Sequence, residues 1–310
     1  MRSIVEGAML KNKLLLRQFP LHLMMIPGVA MIFVFHYIPI TGLVIAFQKY
    51  IPGRNMFFSQ RWVGWDNFKY VMEMPDIYRV IGNTLYISVL KICFSFLVPI
   101  VIAILINEVR QIVFKRTVQT LVYIPHFLSW VVLGGILIDI LSPSTGIIGQ
   151  LLSQWFGVEP IFFLGSNSWF PITLVATDVW KEFGFGTILF LAAITGIDPQ
   201  LYDSALVDGA NRWQRIWHIT LPGMIMIIVL VGVLKLGGVL NAGFEQVYNL
   251  YNPAVYQSGD IIDTLSYRIG IGNAQYSVAT AIGLFKSVIS GLLVSVTYYC
   301  AYRFANYRIF

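Results

Sequence analysis

Six stretches of apolar residues, each long enough to cross a bilayer, follow one another along this chain, at 21–47, 80–106, 117–140, 170–197, 219–240 and 277–302. A helix needs about 20 such residues to span about 30 Å of hydrocarbon. Only helices and closed barrels can do so, because lipid offers no partner to a free backbone N–H or C=O. The composition agrees: 57% of the residues are hydrophobic and 12% are charged, against about 25% charged in a soluble domain. A disordered chain, a nucleic-acid-binding arm and an ordinary cytosolic enzyme are thereby excluded for the chain as a whole. The expected fold is an all-α membrane protein with six transmembrane helices, its main solvent the lipid bilayer.

The net charge of +6 is no nucleic-acid footprint, since the 21 Lys and Arg are spread along the chain. Their distribution sets an orientation instead, because short inner loops carry the excess of Lys and Arg. With the N-terminus inside, segments 1–20, 107–116, 198–218 and 303–310 hold eleven and the outer loops hold six, five of them in the first loop. This predicts N-in and C-in, with a cytosolic N-terminal segment 1–20, a six-span body 21–302 and a cytosolic tail 303–310. Arg2, Lys11, Lys13 and Arg17 before the first span suggest a signal peptide. The apolar run is too long for one and no small-x-small cleavage site follows, so an uncleaved span is expected. Cys93 and Cys300 lie in apolar runs and the four histidines are scattered, so neither a disulfide framework nor a metal site is indicated.

A charge at mid-bilayer costs at least about 2.5–3.5 kcal/mol, which makes each one a candidate for function. Asp178, Lys181 and Glu182 stand at i, i+3 and i+4 on the fourth span, on one face. On the fifth, Lys235, Ala242 and Glu245 are expected to share a face, with Gly237 and Gly238 opening space and Asn241 beside it. Mutual neutralisation within the bundle, without any ligand, is the alternative for both sets. Lys91, Lys286 and Asp139 read as interhelical pairs or as ends reaching for the interface. Ala279, Gly283, Ser287, Gly291 and Ser295 put a small residue at every fourth position of the sixth span, the pattern of close helix–helix packing in lipid.

The most informative stretch is 198–222, between the fourth and fifth spans. Pro199 can open a helix, where its missing N–H is no loss. Leu201, Ala205 and Leu206 give an apolar face, and Gly209 permits a sharp turn. Two short helices with a break between them are expected, with Pro222 in the first turn of the next span. The segment closely resembles the coupling motif of binding-protein-dependent ABC importer permeases: Glu-Ala-Ala, three residues, Gly, nine residues, Ile-x-Leu-Pro. Here Asp203-Ser204-Ala205 takes the place of the triplet, Gly209 follows after Leu206-Val207-Asp208, and Ile219-x-Leu221-Pro222 follows after nine. Pro27-Gly28, Tyr37-Ile38-Pro39, Trp62-Val63-Gly64-Trp65-Asp66-Asn67-Phe68 and Asn83-Thr84 are similar to the carbohydrate-uptake branch of that family. Gly42 to Tyr50 and Phe244-Glu245-Gln246-Val247-Tyr248 resemble its LplB-like members, a branch associated with oligosaccharides and polysaccharides.

The resemblance implies a type I ABC importer permease with a cytosolic coupling helix, in the cytoplasmic (inner) membrane of a bacterium. It implies four partners: a second homologous permease, an ABC ATPase dimer, an extracytoplasmic sugar-binding protein, and an oligosaccharide as substrate. No cofactor is expected on this chain, which lacks a Gly-x-x-x-x-Gly-Lys-[Ser/Thr] cradle; ATP and Mg belong to the partner ATPase, and the chain itself is not expected to be an enzyme. The residues implied for ATPase coupling are Asp203, Ser204, Ala205, Asp208, Gly209, Ile219, Leu221 and Pro222. By resemblance to maltose-type permeases the sugar site falls on the fourth and fifth spans. Its candidates are Asp178, Lys181, Glu182, Phe185, Lys235, Gly238, Asn241 and Glu245, with Phe185 placed to stack on a pyranose ring. Tyr248, Tyr251, Tyr256, Tyr267 and Tyr276 crowd an outer segment, either as an interfacial aromatic belt or in contact with sugar faces. A stand-alone secondary transporter would need an internal repeat, and a membrane enzyme a nucleophile–base or metal constellation; the chain has no clear sign of either.

Overall fold

The structure, a computed structural model, describes residues 20–157 and 159–305. The predicted N-terminal segment, apart from Pro20, and the end of the tail beyond Ala305 lie outside the described residues. Among these the chain is helical, with one two-stranded ribbon, β1 (Gln48–Lys49) against β2 (Arg61–Trp62). Helix α1 runs Pro20–Phe47 and α2 Asp66–Glu73. Helix α3 is Ile77–Glu108, α4 Ile112–Tyr123, α5 Trp130–Ile140 and α6 Ile147–Phe156. Helix α7 is Phe170–Thr195, α8 Pro199–Val207, α9 Arg212–Leu236 and α10 Phe244–Leu250. Helix α11 (Ile262–Tyr267) and α12 (Tyr276–Ala305) complete the chain.

Among the described residues four helices, α1, α3, α9 and α12, are each long and apolar enough to span a membrane, and the total is six when each of two bent pairs is taken as one span. The third predicted span, 117–140, is one of those pairs and is not straight. It breaks into α4 and α5 at an angle of 104°. Pro125 withholds an N–H inside the short 3-10 turn Ile124–Phe127. Ser129 then takes up extended backbone and caps α5 by accepting from Val132 N–H at 3.3 Å.

The fifth span also departs from expectation. It begins earlier, at Arg212, and ends earlier, at Leu236, so the second helix of the 198–222 segment is the root of the span itself. Pro222 is carried inside it by a wider π turn, Ile216–Thr220, in which Leu221 N–H reaches the Ile216 carbonyl. Helix α1 repeats the device: the π turn Phe33–Tyr37 precedes Pro39. In both, the extra residue absorbs the register that a proline removes.

Helices α3 and α7 form the centre and run in the same direction, since Lys91 faces Asp178 and Pro99 packs beside Gly186. Their start lies near the loops 251–262, where Asn83 donates to the Gln257 and Asp260 carbonyls at 3.1 and 3.2 Å. Their end lies near α8. One apolar cluster joins Ile100, Ala103 and Ile106 to Phe190, Ile194 and Met224 at the α8 end. Another joins Ala46, Val71, Ile77 and Val80 to Ile262, Leu265, Ala281 and Ile282 at the opposite end.

Gly184 on α7 lets the α4 backbone approach: a Cβ there would sit 1.9 Å from the Val122 carbonyl oxygen. Backbone cannot yield as a side chain does, so Gly184→Ala is expected to destabilise the bundle by more than the about 1–3 kcal/mol of ordinary overpacking. Thermal unfolding in detergent measures this, and an unchanged midpoint would refute the close packing.

Candidate functional site

Two constructions stand out, one at mid-depth and one at the α8 end. The first gathers around Lys91, near the midpoint of the 32-residue α3. Its ammonium donates to the Ala242 carbonyl at 2.7 Å, to Asp178 Oδ1 at 3.3 Å and, closely, to Gln246 Oε1. Gln246 is fully buried and its amide donates in turn to Thr177 Oγ1 at 2.7 Å and to the Leu174 carbonyl at 2.8 Å. A buried charge persists only when paired and hydrogen-bonded, and here three separate segments supply the partners.

The second part of the cluster lies one turn further along α7. Lys181, 7% exposed, donates to Glu182 Oε1 at 2.8 Å and to the His126 carbonyl at 3.1 Å. It also lies over the Trp130 ring at 5.4 Å. Glu182 Oε2 meets His126 Nδ1 at 2.8 Å, and the His126 ring stacks on Phe185 at 4.1 Å. The elbow between α4 and α5 is what delivers His126 to α7. Lys235, half-buried at the end of α9, donates to Ser95 Oγ at 3.0 Å.

Asp178, Lys181 and Glu182 thus divide between partners: Asp178 belongs to Lys91, while Lys181 and Glu182 bond each other and His126. The predicted common face of Lys235, Ala242 and Glu245 is not formed. Helix α9 stops at Leu236, and the chain turns through Gly237 and Gly238 to Gly243 at φ +86 before α10 opens. Three glycines in seven residues cannot hold a helix there. Ala242 is fully buried, whereas Gly238, Asn241 and Glu245 are exposed. Phe185 stays 46% exposed on α7. Lys286 forms the expected pair, with Asp263 at 2.6 and 2.7 Å. The small-residue stripe of α12 packs within the chain at Ala279, where it meets Gly270, whereas a Cβ on Gly283 or Gly291 would touch nothing.

Sequence reading missed His126, Gln246 and Ser95 as members of this cluster. A histidine after proline in an apolar run was the available signal for the first. Gln246 directly follows the candidate Glu245, and the glycine break turns it inward. Among the described residues no three His, Cys, Asp or Glu side chains gather as a metal would require.

The second construction is the α8 elbow. Helix α8 leaves α7 at 69°. Asp198 caps it by accepting from Gln200 N–H at 2.9 Å, with Pro199 in the first turn. Gly209 at φ +79 ends it, and Ala210 N–H returns to the Ala205 carbonyl at 2.8 Å, which closes a Schellman-type turn. Asn211 and Gln214 then cap α9 reciprocally at 2.7 and 2.9 Å. Tyr202 Oη lies 3.0 Å from Thr220 Oγ1, tying α8 to α9. Leu201, Leu206, Val207, Trp213 and Trp217 remain exposed around this elbow. Asp208, Gly209 and Arg215 border a hollow of about 340 Å³ beside it. Asp203, Ser204 and Ala205 lie on α8, and Ile219, Leu221 and Pro222 in the root of α9.

Spanning helices around a buried polar cluster, with a capped elbow at one end, describe an integral membrane protein. The chain belongs to the family of binding-protein-dependent transport system inner membrane components, whose profile matches residues 95–307. It is a permease with the type I ABC importer fold, a multi-pass protein of the bacterial inner membrane. Protein LplB of Bacillus subtilis (strain 168) is 42% identical over 290 residues, covering 94% of this chain and 91% of that protein. The polygalacturonan/rhamnogalacturonan transport system permease protein YteP of the same organism is 40% identical over 296 residues, covering 96% and 92%. Among solved structures, a bacterial ABC transporter involved in import of the acidic polysaccharide alginate matches with TM-score 0.85 and 39% identity, over 94% of this chain and 98% of that one. A bacterial alginate ABC transporter solved in complex with an alginate pentasaccharide-bound periplasmic protein also matches with TM-score 0.85 and 39% identity, over 94% of this chain and 96% of that one.

Proposed function

We propose that this chain is one of two permease subunits through which an ATP-driven importer takes up an oligosaccharide or polysaccharide. The observation that carries the reading is the α8 elbow, a short helix fixed at both ends by caps, turned out from the bundle, with apolar side chains uncovered. Such an element is suited to a cleft on another protein. Docked on a separate ATPase, which holds ATP and Mg, it converts closure of the ATPase dimer into movement of α7 and α9. Those helices carry the mid-depth cluster, so that pushing the elbow rocks the cluster between two accessible states. The orientation is N-in and C-in with segment 198–222 in the cytosol, and a binding protein delivers the glycan at the opposite end. Relatives and structural neighbours that serve polygalacturonan, rhamnogalacturonan and alginate support a glycan as substrate.

Within the chain, Phe185, Lys235, Gly238, Asn241 and Glu245 form the part of the sugar site open to a ligand. Asp178, Lys181 and Glu182 form its wall, held by Lys91 and His126. Purification of the tagged chain from its native membrane in mild detergent, with mass spectrometry of what accompanies it, tests the whole reading. A second permease of similar size and an ATPase are expected. A homo-oligomer without ATPase, reproduced under gentler extraction, would overturn it.

A further inference from the structure

Four of the five crowded tyrosines of the 247–276 segment form one connected series of rings with Phe244, whereas Tyr276 meets Tyr50 at 6.1 Å instead. Phe244 meets Tyr248 at 5.4 Å and Tyr267 at 5.5 Å. Tyr248 meets Tyr267 at 4.9 Å and Tyr251 at 6.1 Å, and Tyr251 meets Tyr256 at 5.1 Å. Arg268 closes the series over Tyr256 at 4.6 Å, its guanidinium fixed by Asp260 at 2.5 and 3.2 Å.

The direction of the series matters more than its composition. Phe244 follows Gly243, where a Cβ would lie 2.9 Å from Lys91 Nζ, so the inner end sits at mid-depth. Tyr256 stands between Val255, which packs in one cluster with Phe170, and Gly259, whose Cβ would strike the Phe170 ring. The outer end is therefore at the start of α7, away from α8. An interfacial belt distributes aromatic residues at one level around a protein; this series runs along the depth instead. Tyr248 and Tyr267 are 41% and 38% exposed, so their rings are not consumed by packing. Tyr267 also borders an open hollow of about 620 Å³, shared with Tyr50 and Tyr276, within the size range of ligand sites, about 300–1,000 Å³.

We propose that Phe244, Tyr248, Tyr267, Tyr251 and Tyr256 form a stacking track that guides a glycan chain from its outer end at Tyr256 to the mid-depth site, with the hollow beside Tyr267 as room along the way. The inference rests on the glycan reading above. Each step of the track is about the span of one sugar ring, and aromatic faces bind the C–H face of a pyranose without demanding one pattern of hydroxyls. The track is uncharged in use. Burial, then the neighbouring Tyr256, pushes the Tyr251 phenol up to about 12, and the hydrogen bond to Tyr267 raises that of Tyr248. Neither ionises under physiological conditions, so an acidic glycan meets no repulsion from them.

A track acts on long ligands and not on short ones, and this separates it from a merely structural role. The test uses the complete importer, purified with its companions and reconstituted in liposomes with its binding protein. The probes are a panel of acidic and neutral oligosaccharides of two and five sugars. Tyr248→Leu with Tyr267→Leu keeps apolar volume and removes two ring faces. Uptake of the five-sugar probe at limiting concentration is expected to fall about tenfold, the equivalent of about 1.4 kcal/mol, while that of the two-sugar probe is unchanged. Tyr248→Phe with Tyr267→Phe keeps the faces and is expected to retain both. Equal losses for short and long probes, or no loss for either, would overturn the track. Failure of the unmodified complex to import any glycan in the panel would instead overturn the glycan reading on which the track rests.

Discussion

Replacing Gly209 by valine is expected to abolish ATP-driven uptake while leaving membrane insertion intact. Gly209 holds φ +79, a conformation that costs an ordinary L-residue about 1–2 kcal/mol and a β-branched one more. The strain falls on the turn that sets the angle between α8 and α9, because Ala210 N–H must return to the Ala205 carbonyl and Asn211 must start the next helix. No neighbour lies within 4 Å of a Cβ at Gly209, so backbone conformation alone is at issue. Asparagine tolerates the left-handed region, and Gly209→Asn is therefore expected to keep most of the uptake that Gly209→Val loses. Uptake into reconstituted liposomes and retention of the ATPase through purification are the two readouts. Normal transport by the valine variant would remove the elbow from the coupling route.

The second large effect is expected at Lys91. Lys91→Met leaves Asp178 and Gln246 without their buried partner and frees the Ala242 carbonyl. Removing one member of a buried pair costs about 3–5 kcal/mol, mostly from the charge left behind. The loss is read as a lowered thermal midpoint in detergent. Because the uncompensated charge dominates, Lys91→Met with Asp178→Asn is expected to recover a substantial part of it. If the single variant unfolds with the parent, Lys91 is not the pin of the glycine-rich turn.

The two constructions were legible in the sequence to different degrees. The α8 elbow was readable because its determinants are local: Asp198 and Pro199 open a helix, Gly209 closes it, and the spacing to Pro222 is covalent. That the second helix continues into the membrane was not readable, since the π turn at Ile216–Thr220 leaves no mark beyond the proline it accommodates. The mid-depth cluster was legible as a list of charges but not as a set of pairs. Helical periodicity placed Lys235 and Glu245 together by extending α9 through Gly237, Gly238 and Gly243, where the helix gives way. Periodicity likewise treated 117–140 as one span, because hydropathy does not register a 104° bend. His126 enters the site only through that bend, so no spacing within α7 could have found it.

The cluster that unites Ala46, Val71 and Ile77 with Ala281 and Ile282 also has a meaning for biosynthesis. Of the apolar residues of α1 only those in its last turns are covered by the described chain. Their cover comes from α12, made long after them, where Ser277 Oγ also accepts the Tyr50 N–H at 2.9 Å. Until α12 is inserted, the turn after α1 and the start of α3 stay unsealed. Among the described residues the bundle is thus closed by contact between α1 and α12, and a chain that lacks α12 presents that open seam to the cell's quality control.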